Sequence, residues 1–139
     1  MKISNDTLSI LKNFASINTN ILFRKGNTIA TVSSGKNIFA RASVSETFER
    51  EIPIYDLNGL LGQLSLMEDT DVLFGEESVT ASKDNRFFEY FYTAPELVTA
   101  APEEEIQVDD FFSFDLSVDD LNFIQKAAGI TAAPMLSIL

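Results

Sequence analysis

The chain has 139 residues, 45% of them hydrophobic and 12 of them Phe, a normal size for one domain with enough apolar material to exclude wholesale disorder. It contains no His, Cys or Trp, which excludes zinc and other nitrogen- or sulfur-liganded metal sites within one chain, and every catalytic triad or dyad built on His or Cys. The net charge of −11 argues against a general nucleic-acid binder, but it is unevenly spread: residues 1–50 carry seven Lys/Arg against three Asp/Glu, and residues 51–139 carry three against eighteen. A chain this lopsided is able to present one basic face on an acidic body.

Met1–Asp6 lacks the basic-then-apolar layout of a signal peptide, and no apolar stretch approaches the roughly 18 residues that span a bilayer, so a cytosolic protein is expected. From Asn5 to Ile17 the spacing of Leu8, Leu11 and Phe14/Ala15 predicts an amphipathic helix capped by Ser4. Extended runs follow at Ile21–Lys25, Thr28–Ser33 and Ile38–Val44. Gly26-Asn27 joins the first pair and Ser34-Gly35-Lys36-Asn37 the second, both read as hairpin turns. Phe48–Tyr55 reads as a strand leading into a second helix, Leu57–Met67, with Asp56 as cap and Leu57, Leu60, Leu61 and Leu64 facing inward. Three more strands are expected at Asp71–Phe74, Ser78–Ser82 and Arg86–Thr93.

Ala94–Asp110 contains Pro95, Pro102 and the run Glu103-Glu104-Glu105, and reads as an exposed acidic connector, 95–110. A strand is expected at Phe111–Leu116. A third helix is expected at Val118–Ala128, with Ser117 and Asp120 as a capping box, Leu121, Ile124 and Ala128 inward, and Gly129 as its stop. Ala133–Leu139 reads as a further strand. The order is thus β-α-β-β-β twice, then β-α-β. A repeated unit of this length predicts an α+β fold in which two units share a continuous antiparallel sheet with both helices on one face. The expected division is 1–94 as a full domain, 95–110 as connector, and 111–139 as the incomplete opening of a second, similar domain.

No phosphate-cradling glycine motif occurs. Carboxylate pairs such as Asp69/Asp71, Asp109/Asp110 and Asp119/Asp120 remain, and they sit among turn residues or at a helix start, where acids are favoured anyway. They read first as solvated acids; a magnesium- or calcium-dependent enzyme using Glu68, Asp69 and Asp71 is a remote alternative. No cofactor or metal is assigned. The helices' solvent faces are short of acids: Asn5, Ser9, Lys12, Asn13 and Ser16 on the first, Asn58, Gly59, Gly62 and Gln63 on the second, Asn122, Gln125 and Lys126 on the third. Such a face suits loose contact with a phosphate backbone, though an ordinary wet helix face has the same composition.

Two stretches carry a family resemblance. One is Asp6-Thr7 with Leu11-Lys12-Asn13-Phe14-Ala15-Ser16-Ile17-Asn18; the other, longer and more specific, is Ile54-Tyr55-Asp56-Leu57-Asn58-Gly59-Leu60-Leu61-Gly62-Gln63-Leu64-Ser65-Leu66. Weaker similarity runs through the intervening strands and into Asp119-Asp120-Leu121. In these the chain resembles the sliding clamps of T-even-type bacteriophages. The resemblance implies a DNA-clamp fold with helices lining a pore, a homotrimeric head-to-tail ring around duplex DNA, and no catalytic activity. It implies as partners the phage DNA polymerase, an ATP-driven clamp loader and late-transcription factors, inside the infected bacterial host. It matches Lys12 to a lysine of the pore-lining helix. With it, Lys2, Asn5, Ser9, Lys12, Asn13, Ser16, Asn58, Gln63, Asn122 and Lys126 are the expected DNA-facing residues. A shortened clamp-like module that binds replication proteins without closing a ring is the alternative, and an acidic DNA mimic fits the net charge but not the basic first 50 residues.

Overall fold

Ser4 opens the first helix because its hydroxyl accepts the Thr7 backbone N–H at 3.2 Å, satisfying one of the amides that a helix start leaves bare. That helix, α1, spans Asn5–Ile17 and buries Thr7, Leu11, Phe14 and Ala15, at helical spacing. The computed structural model describes residues 1–110 and 112–139. In it α1 is followed by β1 (Ile21–Phe23), β2 (Gly26–Val32), β3 (Phe39–Phe48) and β4 (Ile52–Ile54). Then come α2 (Leu57–Ser65), β5 (Asp71–Phe74), β6 (Ser78–Lys83), β7 (Arg86–Phe91), a 3₁₀ turn at Pro95–Leu97, and α3 (Val118–Thr131). The result is an α+β fold with antiparallel sheets, in line with the expected class.

The sheet differs from the continuous one expected. The ladders form three pieces, β1-β4, β2-β3 and β5-β6-β7. Gly26-Asn27 does not close a hairpin, because β1 pairs with β4 (Ile21 opposite Ile54) and β2 with β3. Gly26 instead carries the chain from one sheet to the next at φ +118°, backbone that a side chain would strain, and the β2–β3 register shifts just beyond it. The turn after Ser33 is a hairpin as expected, with Lys36 in the left-handed region. The strand expected over Phe48–Tyr55 is broken at Glu49-Arg50: Phe48 ends β3, and only Ile52–Ile54 forms β4. Met1 adds a bridge to β5, its amine donating to the Val72 carbonyl at 2.6 Å and its carbonyl accepting from the Val72 N–H at 2.7 Å.

Helix α2 starts at Asp56, whose carboxylate accepts the Gly59 N–H at 2.9 Å. A Cβ at position 59 would lie 2.5 Å from that carboxylate, so glycine there is what lets the cap close. Leu57, Leu60, Leu61 and Leu64 are buried as their spacing predicts. They join Leu11, Phe14, Ile21, Phe23, Ile29, Ile52, Ile54 and Val79 in one core. Phe48 lies inside it, its ring 4.8 Å from Phe23 and 5.4 Å, edge-on, from Phe74.

The first compact unit runs from Met1 to Glu104, past the boundary read from the sequence. Val98 and Ala101 are buried, and the Thr99 N–H donates to Asn20 Oδ1 at 2.9 Å, so the early part of the expected exposed connector packs on this unit. The second unit, Glu105–Leu139, contains α3. Neither 112–116 nor 133–139 forms a strand, and Phe111 lies outside the described residues. Gly129 does not stop α3. The helix continues to Thr131 and ends where Ala132 turns left-handed at φ 51°, because Pro134 disfavours helical backbone at Ala133. Leu121, Ile124 and Ala128 are not buried, nor is any described residue of α3. No helix is long and apolar enough to cross a membrane, among the described residues.

Candidate nucleic-acid interface

With one face of α1 committed to the core, the opposite face presents Asn5, Asp6, Ser9, Lys12, Asn13 and Ser16 to solvent. Asp6 falls in the first turn, where the helix dipole favours an acid; beyond it the face holds hydroxyls, amides and one lysine. Ser16 donates to the Asn13 carbonyl at 2.6 Å, so its hydroxyl hydrogen is already used. Among the described residues Lys12 makes no ion pair. A lysine left unpaired in a chain of net charge −11 is free to meet a phosphate.

Helix α2 packs against α1 and exposes Asn58, Gly62 and Ser65. Gln63 is only half exposed, and its Oε1 is buried without a hydrogen-bond partner, so it belongs to the packing between elements more than to an open face. Asn5, Leu8 and Lys12 of α1 and Leu61, Leu64 and Ser65 of α2 line a groove of about 1000 Å³, with Ile3, Met67 and Val72. Lys2 lies on its rim, bound to Asp69 at 2.7 Å with both side chains exposed. That bond leads the causes that raise the Lys2 pKa and lower that of Asp69. Lys2 stays a cation but one already paired with Asp69, whereas Lys12 has no ion pair among the described residues. Asn122 and Lys126 are exposed on α3, in the second unit. Among the described residues no three acidic side chains converge as metal ligands would.

The position of α1 depends on a residue the sequence reading passed over. Glu46 of β3 is buried, 7% exposed, at the start of α1. It accepts from the Ser4 N–H and from the Thr7 hydroxyl, each at 2.5 Å. Burial pushes its carboxyl pKa up, but the bonds from Thr7 and Ser4 outweigh that and the net shift is downward. The anion also sits where a helix N-terminus favours negative charge. One carboxylate thus ties β3 to the first turn of the helix whose outer face carries Lys12. Its signal was present: period-two alternation along β3 puts Glu46 in phase with Val44 and Phe48, on the buried side.

Among the described residues strand β7 has a ladder along one edge, to β6, and Phe87 and Phe91 stand out from it at 74% and 66% exposure. Its far end is covered, the Thr93 N–H reaching the Pro53 carbonyl at 3.3 Å.

Comparison with known proteins follows the same line. The DNA polymerase processivity factor family matches residues 4–83, from the cap of α1 through β6. The chain is 32% identical over 132 residues to the sliding clamp of Vibrio phage KVP40, covering 92% of this chain and 60% of that protein. It is 36% identical over 107 residues to the sliding clamp of Enterobacteria phage T4, covering 76% of this chain and 47% of that one. To the sliding clamp of Escherichia phage RB69 it is 35% identical over 108 residues, 77% of this chain and 47% of that protein. The chain therefore spans about half to three-fifths of the length of these curated relatives. With more than half of its residues, both core helices included, inside the family match, the chain belongs to the DNA polymerase processivity factor family.

Proposed function

We propose that this chain supplies part of a bacteriophage sliding clamp, an accessory protein without catalysis of its own. In this reading the complete subunit joins two others in a ring around duplex DNA, loaded by an ATP-driven partner, and tethers the replicative polymerase inside the infected host cell. Residues 1–104 are its first domain and α3 opens a second. The observation that carries the reading is the outer face of α1, where Asn5, Ser9, Lys12, Asn13 and Ser16 are exposed and one lysine stands unpaired in a strongly acidic protein. A clamp must not grip: each firm phosphate contact adds salt-dependent affinity and friction, whereas a closed ring replaces affinity with topology. A sparse basic face centres the duplex, and an acidic exterior repels other DNA. The open edge of β7 supports subunit pairing.

Lys12→Glu in the complete clamp is expected to shorten processive synthesis while leaving the fold unchanged, because Lys12 is exposed and makes no ion pair among the described residues. Primer extension with a trap for released polymerase reads this directly. Full product length from the variant would sink the assignment of α1 to the pore. A shortened module that binds replication proteins without closing a ring is favoured by one observation, the lack of any buried side chain on α3. Molar mass in solution separates the two: a closed oligomer supports the ring, and a monomer that still binds polymerase supports the module.

A further inference from the structure

Residues 98–104 follow the last strand of the first unit and have no ladder of their own. Two arginines hold them. Arg24 Nη1 donates to the Ala101 carbonyl at 2.8 Å, and its Nε lies 3.3 Å from Glu103 Oε1, an ion pair without an aligned hydrogen bond. Arg41, from β3, donates through Nη2 to the Glu103 carbonyl at 2.5 Å and more weakly to that of Pro102 at 3.5 Å. Three successive carbonyls are thus taken by guanidinium groups, and the unit ends at Glu104, one residue past the last of these bonds.

We infer that Arg24 and Arg41 form a salt-sensitive latch that fixes where the acidic connector leaves the first unit. The Arg24–Glu103 ion pair is of the kind that salt weakens, since the Glu103 carboxylate is largely exposed, and the Arg41 bonds to the Pro102 and Glu103 carbonyls are exposed to competing water and ions. Lys25 lines the same groove, so its charge adds to the pull on Glu103, while Glu51, which also lines it, opposes that pull. Behind the latch the buried Val98 and Ala101 and the Thr99–Asn20 bond hold the segment. Opening it as far as Thr99 frees six further residues, about 20 Å of extended chain. The latch therefore sets how far along the chain the first unit holds its last residues. This inference does not depend on the clamp reading, since every group in it lies in the first unit.

The chain has no cysteine, so a nitroxide pair placed with Ser43→Cys and Glu104→Cys reports on the segment alone. Both sites are exposed, and neither makes a latch bond. A narrow distance distribution is expected at low salt. It should broaden to longer distances in about 1 M salt, where the Debye length falls to ~3 Å, and in Arg24→Gln/Arg41→Gln at low salt. Cleavage after Glu103 by a glutamate-specific protease should accelerate about tenfold in the double variant, the scale of losing charged hydrogen bonds. If Arg24→Gln disturbs the fold, Arg41→Gln alone and the salt titration of the labelled parent chain carry the test. A distribution that stays narrow in high salt and in Arg41→Gln, with cleavage after Glu103 unchanged, would overturn the latch.

Discussion

Phe48→Ala should remove about 3–5 kcal/mol of folding stability, a large share of what a domain of this size possesses. Phe48 is 2% exposed, and its ring lies between those of Phe23 and Phe74, so truncation opens a cavity where β3, β1 and β5 meet. The surrounding strands are fixed by their ladders and cannot collapse to fill it. Urea unfolding followed by far-UV circular dichroism measures the loss. Phe91→Ala is the control: that ring is 66% exposed, and its removal should change stability by less than about 0.5 kcal/mol. A loss below about 1 kcal/mol at Phe48 would show that the β3–β1 contact is not the centre of the core.

Glu46→Ala should cost about 1–3 kcal/mol at neutral pH, because it removes the acceptor of the part-buried Ser4 N–H and of the buried Thr7 hydroxyl. The pH dependence has a definite sign. The folded-state pKa of Glu46 lies below its ordinary value of 4.5, so the unfolded chain binds a proton more readily than the folded one. The stabilisation is therefore complete above the ordinary value and fades as pH falls through the lowered folded value. Against Glu46→Gln, which keeps the shape but not the charge, the parent chain should lead at pH 7 and lose that lead as pH falls below the ordinary carboxylate range. A stability gap independent of pH would mean that shape, and not charge, holds β3 to α1. In a clamp assay the same variants should affect Lys12 indirectly, since the first turn of its helix would loosen.

The helices were the most legible part of the chain. Ser4, Asp56 and Ser117 cap the three helices as read from the sequence, and α1 and α2 bury the leucines that their spacing put inward. Capping and helical periodicity are local: they depend on residues three or four apart, which one sequence displays in full. The face carrying Asn5, Ser9, Lys12, Asn13 and Ser16 was legible for the same reason, being the complement of a buried stripe.

Strand partners and isolated polar groups depended on contacts distant in sequence. Gly26-Asn27 has the composition of a hairpin turn, but β1 found a better partner in β4, across the buried Ile21–Ile54 pair. Glu46 has the look of a surface acid until α1 brings the Ser4 and Thr7 donors onto it from some 40 residues away. Pro102 and the glutamates after it have the composition of a free connector, and Arg24, from the loop after β1, and Arg41, from β3, reach the carbonyls of residues 101–103 and hold the chain there. By itself the sequence determined the elements, their caps and the composition of the helix face. The tertiary structure decided which strands pair, which charge is buried and where the first unit ends, because those outcomes turn on desolvation and long-range pairing that no local pattern encodes.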